Sequence, residues 1–268
     1  MTLVLWIALI LLAVASVVPK AYNPRFIFGG LGWLFLSIYW SLQLGGYIEL
    51  KDYVNIILVI AATVASLFIA YITFQAKDNN GRGGFEVFIS LSRAASIGGL
   101  LYFLFAEVEF LNTGIISMVT DQAIWITAKF GFPVEQVAWN QLAVNGMAVE
   151  IILACTAIES IALFSGVISS ATGAPASRKF RAFMISVPVV YILNLQRLAF
   201  TASAYGFSWF GTPDESFHIS EHIITKAGSL LALFLISYMV LKILPEVTDM
   251  IDGVVKMMRI EFHRLTVR

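Results

Sequence analysis

Long apolar runs constrain this chain more than any other feature. Seven stretches approach or exceed the ~20 residues that an α-helix needs to cross a hydrocarbon core. They are Leu3–Val18, Phe26–Leu44, Tyr53–Gln75, Phe85–Ala106, Met147–Ala171, Phe183–Tyr205 and Glu221–Leu244. Backbone polar groups cannot be left unpaired in lipid, so each run is expected to be helical. Composition agrees: 59% of the 268 residues are hydrophobic and 13% are charged, against about 25% charged in soluble chains. The expected fold class is all-α, a polytopic membrane helical bundle of about seven spans. No linker, repeat or low-complexity tract divides the chain, so one integral membrane domain is expected over 1–268. Its parts are N-terminal spans and an interfacial segment (1–146), core spans (147–245) and a tail (246–268).

Two function classes fall away early. Net charge is zero, so no basic field is available for nucleic acid. A single cysteine excludes an internal disulfide framework and a cysteine-cluster metal site. The first run has no Lys or Arg ahead of it and reads as an ordinary span, not a secretory leader.

Glu107–Gly146 differs from the rest. Ile115, Met118, Val119, Gln122, Ile126 and Phe130 sit near helical spacing, but Asp121 and Lys129 interrupt them. An extracellular interfacial helix is expected, ended by Pro133. Val134–Asn145 alternates loosely and closes on Asn145-Gly146, a hairpin turn signal; a small hairpin or an irregular lid fits. The tail repeats Val247, Ile251, Val254 and Met258 beside Lys256, Arg259, Arg264 and Arg268. It is expected as a cytoplasmic amphipathic helix, on the membrane surface or packed on the bundle.

Orientation follows from charge, since cytoplasmic loops carry excess Lys and Arg. Lys20, Arg25, Lys77, Arg82, Arg178, Lys179, Arg181 and the basic tail fall on one side of seven spans. Lys51 and Lys129 fall on the other, with Glu107, Glu109, Asp214 and Glu215. The N-terminus is therefore expected outside and the tail inside. Cys155 in the fifth run and Arg197 in the sixth then lie about eight residues, or ~12 Å, below the outer surface. His222 opens the seventh run at the same face.

Each of these residues has a chemical reading and a bland one. An arginine within a span costs about 2.5 kcal/mol or more to insert, so Arg197 is expected to face a polar interior with a partner; snorkelling to the interface is the plainer alternative. Cys155 and Glu159, one turn apart, are expected on one helix face. A lone cysteine is commonly a small buried hydrophobe, and becomes a nucleophile only with a cation or histidine nearby. Arg197 and His222 are the candidates for that role, and Glu159 or Glu150 for the arginine's partner. Asn194 shares a span with Arg197, and Lys226 lies one turn beyond His222. His218-Ile219-Ser220-Glu221-His222 also fits H-x-x-E-H, a zinc-protease pattern, with Asp214 or Glu215 as third ligand. A zinc-dependent intramembrane protease is thus one alternative. A transporter with Arg197 as its anion site is another.

Ala154-Cys155-Thr156-Ala157-Ile158-Glu159-Ser160 resembles the A-C-[ST]-G-I-[QE]-S signature of the exosortase/archaeosortase membrane transpeptidases. Asn194-Leu195-Gln196-Arg197 resembles the N-x-x-R element of the next span, and Glu221-His222 running into Gly228-Ser229-Leu230 resembles the third. Leu244-Pro245-Glu246 and the tail look most like the archaeosortase A branch. Ala157 departs from the signature's Gly, a small-for-small change expected to be tolerated. The third position varies between His and Arg in the family. The resemblance implies a cysteine transpeptidase with Cys155, Arg197 and His222 catalytic, Glu159, Asn194, His218 and Lys226 in supporting positions, and no metal or cofactor. Its partners would be surface proteins with a C-terminal tripartite signal (a Pro-Gly-Phe type motif, a hydrophobic helix, basic residues) and an acceptor membrane lipid.

Overall fold

The computed structural model describes residues 2–19, 24–49, 51–78 and 86–266. Lys20, Arg82, the rest of the expected loop at 79–84, and Arg268 lie outside the described residues.

Leu-, Ile- and Ala-rich runs become helices, one of them with Pro188 in its interior. α1 (Thr2–Val17) buries Leu5, Ala8, Leu9, Leu12 and Ala15, the spacing of one helix face. α2 (Pro24–Glu49) opens on Pro24, whose fixed φ suits a first turn. α3 (Tyr53–Asp78), α4 (Glu86–Glu107) and α5 (Glu109–Lys129) follow. After the sheet come α6 (Ile158–Ser170), α7 (Ala176–Gly206), α8 (Pro213–His218), α9 (Thr225–Ile243) and α10 (Pro245–Thr266). Among the described residues, five helical stretches are long and apolar enough to cross a membrane, and α1 and α6 are shorter apolar helices. The protein is a polytopic helical membrane protein. α5 is not among the five.

The chain forms two compact units. The first comprises Met1–Leu100, Gly166–Ala174 and Pro245–Arg268. Its core joins Phe26 of α2, Ile72 of α3, Phe88 and Ile89 of α4 and Met257 of α10. The tail therefore packs Met257 into this core, and Val247 is also buried, while Ile251 and Met258 of the expected apolar stripe stay exposed. The Trp33 indole donates to Ser92 Oγ at 2.9 Å. Arg93, which from sequence alone suits a snorkelling position, instead donates to the Ser16 carbonyl at 2.9 Å. That carbonyl lies in the last turn of α1, where helical acceptors are left over and the dipole is negative.

The second unit comprises Leu101–Ser165 and Pro175–Leu244. It holds a three-stranded antiparallel sheet of β1 (Val134–Ala138), β2 (Gln141–Val144) and β3 (Met147–Glu150), in that order. Asn145 and Gly146 have φ of 50° and 79°, the two left-handed residues of a two-residue hairpin turn. The hairpin alternative for this stretch is the one that forms. Leu142 and Val144 of β2 and Ile151 pack with Ile116, Val119 and Ala123 of α5 and Leu195, Leu198 and Ala202 of α7. The Asn145 amide donates to the Gly206 carbonyl at 3.2 Å, fixing the hairpin tip to the end of α7.

The fifth apolar run is not one helix. Met147–Glu150 is β3, Leu153–Thr156 is a short 3-10 turn, and α6 starts only at Ile158. Ala157 between them sits in the left-handed region at φ 61°, ψ 6°. A left-handed residue cannot continue a right-handed helix, so Cys155 and Glu159 do not share a helix face. The depth reckoned for Cys155 along an unbroken helix falls with it. The seventh run also starts earlier than expected. α8 begins at Pro213 behind a capping box in which Thr212 and Glu215 bond reciprocally.

Candidate active site

The sequence places Cys155 in a tight turn between a strand and an apolar helix. Its N–H donates to the Ile152 carbonyl at 2.8 Å, and its own carbonyl accepts from the Asn194 amide of α7 at 2.7 Å. Asn194 is 8% exposed, and an amide at that burial needs its partner. Its role is thus to hold the cysteine turn against α7. One turn further along α7, the Arg197 guanidinium pairs with Glu221 Oε1 at 3.1 Å. Thr201 Oγ1 donates to Glu221 Oε2, also at 3.1 Å. Arg197 thus has a partner, but neither Glu159 nor Glu150. Glu150 accepts from Asn140 at 3.1 Å, and Glu159 stands exposed in the first turn of α6.

Glu221 is aimed by an irregular helix. Ile219–Ile224 is wound as a π-helical segment joining α8 to α9. The Thr225 N–H bonds Ser220 O, five residues back, and Thr225 Oγ1 donates to Glu221 O at 2.9 Å. Single π turns inside α-helices recur at functional sites because they re-aim side chains. Nothing in the apolar spacing of this run signals the insertion, and this is why the Arg197–Glu221 pairing was not legible.

Between α7, α9 and the start of α6 lies a cavity of about 460 Å³, within the size range of ligand sites. Ala154, Ala157 and Glu159 line it from one side, Asn194 and Arg197 from α7, Thr225 and Gly228 from α9. Val190, Leu193, Leu233 and Ile236 make the remainder apolar. Arg197 Nε is buried with no hydrogen-bond partner among the described residues. Glu221 holds Nη2 of the guanidinium, and Nε keeps its donor in reserve. Cys155 lies in the 3-10 turn, outside the span helices. Burial pushes its thiol pKa up, while the N–H bond at Ile152 and the Arg197 charge act against that rise and the Glu221 charge adds to it. At rest the sulfur is a neutral thiol, and a base is needed to activate it.

The structure brings Asn194, Arg197 and Glu221 to the cysteine turn, and Glu159 to the same cavity. His222 is exposed; its ring meets His218 at 5.2 Å and Phe217 at 6.4 Å between centroids. Lys226 is exposed. The zinc pattern lacks its third ligand: among the described residues no group of three His, Cys, Asp or Glu gathers. Glu215 is engaged in the Thr212 cap, at 2.8 Å from the Thr212 N–H, and Glu221 in the arginine pair.

Known proteins are similar to this chain along most of its length. The family model described as transmembrane exosortase matches residues 1–242. The chain belongs to the exosortase family. It is 30% identical over 260 residues to archaeosortase A of Haloferax volcanii, covering 84% of this chain and 82% of that protein. It is 22% identical over 263 residues to archaeosortase A of Natronomonas pharaonis, covering 87% and 80% respectively. No solved structure matches. Cys155, Asn194, Arg197 and Glu221 all lie inside the matched span.

Proposed function

We propose that this exosortase-family protein is a membrane cysteine transpeptidase that acts on C-terminal sorting signals. The observation that supports this most is the pairing of one thiol-bearing turn with one half-buried arginine, its Nε unpartnered among the described residues, on the wall of a largely apolar cavity. The Cys155 sulfur attacks the scissile carbonyl and forms a thioester. Arg197 Nε meets the oxyanion, where a preorganised cation out of water is most effective. Glu221 and Thr201 orient the guanidinium. His222, next in sequence to Glu221, takes the thiol proton and returns it to the leaving amine. This assignment requires its ring to turn from His218 toward the cavity when substrate binds.

The apolar wall of the cavity suits the hydrophobic helix of a Pro-Gly-Phe type signal. The acyl group then passes to a membrane lipid, on the outer face if the loop charges set the orientation. Cys155→Ala and Cys155→Ser tested in cells are expected to leave substrate unprocessed while the protein stays in the membrane. Full processing by both variants contradicts the nucleophile.

A further inference from the structure

The sheet beside the cysteine has an open edge. In the β2–β3 hairpin, Val144 pairs with Met147, Ala143 with Ala148, Leu142 with Val149 and Gln141 with Glu150. Ile151 N–H reaches Asn140 O at 2.7 Å, which fixes the phase of the ladder. Hydrogen-bonded pairs alternate with non-bonded ones, so Met147, Val149 and Ile151 bond toward β2. The N–H and C=O groups of Ala148 and Glu150 point away from it. They have no hydrogen-bond partner among the described residues, and both residues are exposed. Ile152 continues in extended geometry at φ −114°, ψ 173°. The edge therefore runs without a break to within three residues of Cys155.

Edge strands with free polar groups are templates for another strand. Proteins manage such edges with bulges, prolines or covering elements, and the bulge in this sheet lies on the other edge, between Gln136 and Ala138. We infer that the β3 edge receives the extended segment of the substrate that precedes its hydrophobic helix, adding it as a fourth, parallel strand. The direction follows from the chain itself. From Met147 onward it passes from strand, through the cysteine turn, into the apolar helix α6. A substrate that passes from extended segment, through a scissile bond, into an apolar helix has the same polarity. Laid alongside, it brings its scissile carbonyl level with Cys155, and its helix to the cavity that begins at Ala154. Main-chain pairing supplies affinity with little demand on side chains, which suits an enzyme reading many surface proteins through one short motif.

This inference rests on the transpeptidase reading, and one experiment separates the two. The full-length enzyme in detergent is given a synthetic peptide with a Pro-Gly-Phe-containing extended segment and an apolar helix, and acylation of Cys155 is followed by mass spectrometry. N-methyl groups are then placed singly on successive residues before the motif. Pairing predicts a period of two: methylation of alternate residues raises KM about tenfold, and the residues between are silent. Ala148→Pro, which removes one outward N–H and leaves the β2 ladder whole, is expected to raise KM five- to tenfold with unchanged iodoacetamide labelling of Cys155. Acylation with no periodicity and an unaffected proline variant overturns the edge pairing and leaves the enzyme reading standing. Absence of acylation by the unmethylated peptide overturns both.

Discussion

Ala157 carries the sharpest residue-scale consequence. A left-handed φ of 61° costs a residue with a Cβ about 1 kcal/mol relative to glycine. The family signature that this segment resembles has glycine here, so the exchange is a strained substitution, not only a small-for-small one. Ala157→Gly is expected to raise the thermal midpoint of the detergent-solubilised protein by a few degrees, without loss of processing; a lower midpoint contradicts the strain. The cysteine gives a second test. Its thiol is pushed up by burial, so the neutral form dominates at neutral pH and the thiolate fraction grows with each step upward. Iodoacetamide labelling of Cys155, the only cysteine in the chain, is expected to rise about tenfold per pH unit from 7 to 9. A plateau below pH 8 contradicts it. Arg197→Lys keeps the charge but loses the planar fork that serves Glu221 and the substrate together; processing is expected to fall at least tenfold, measured as kcat at saturating peptide.

At the scale of elements, apolar length was a good guide to helices and a poor guide to where they break. Met147–Ala171 is apolar enough to read as one span, and hydrophobicity alone does not distinguish a strand, a 3-10 turn and a helix laid end to end. The signals that do distinguish them are local. Asn145-Gly146 announces the hairpin, and Met147-Ala148-Val149-Glu150 has the alternation of a half-exposed strand. Arg197 was legible as a group in need of a partner because ionisable groups within a span seldom stand alone, but Glu221 as that partner depends on a π segment with no periodic signature. Deleting Ile223 to restore an α-helical path is expected to swing Glu221 off Arg197 and abolish processing while membrane insertion persists. Retained activity in that variant would show that the π segment does not position the pair.

For the whole molecule, the apolar runs carried most of the architecture: among the described residues, five long apolar helices and two short ones stand where seven runs were expected. The loop charges further predict that the cysteine turn faces outward. A membrane-impermeant maleimide is expected to label Cys155 in intact cells, and labelling only after permeabilisation reverses the topology. Acyl transfer through one sulfur is the step on which the proposed activity depends. Its most direct test is to quench the full-length enzyme with peptide at acidic pH and digest it. The fragment containing Cys155 should carry the mass of the acyl half of the substrate, labile to hydroxylamine. Peptide cleavage with that fragment unmodified, and undiminished in Cys155→Ala, would contradict it.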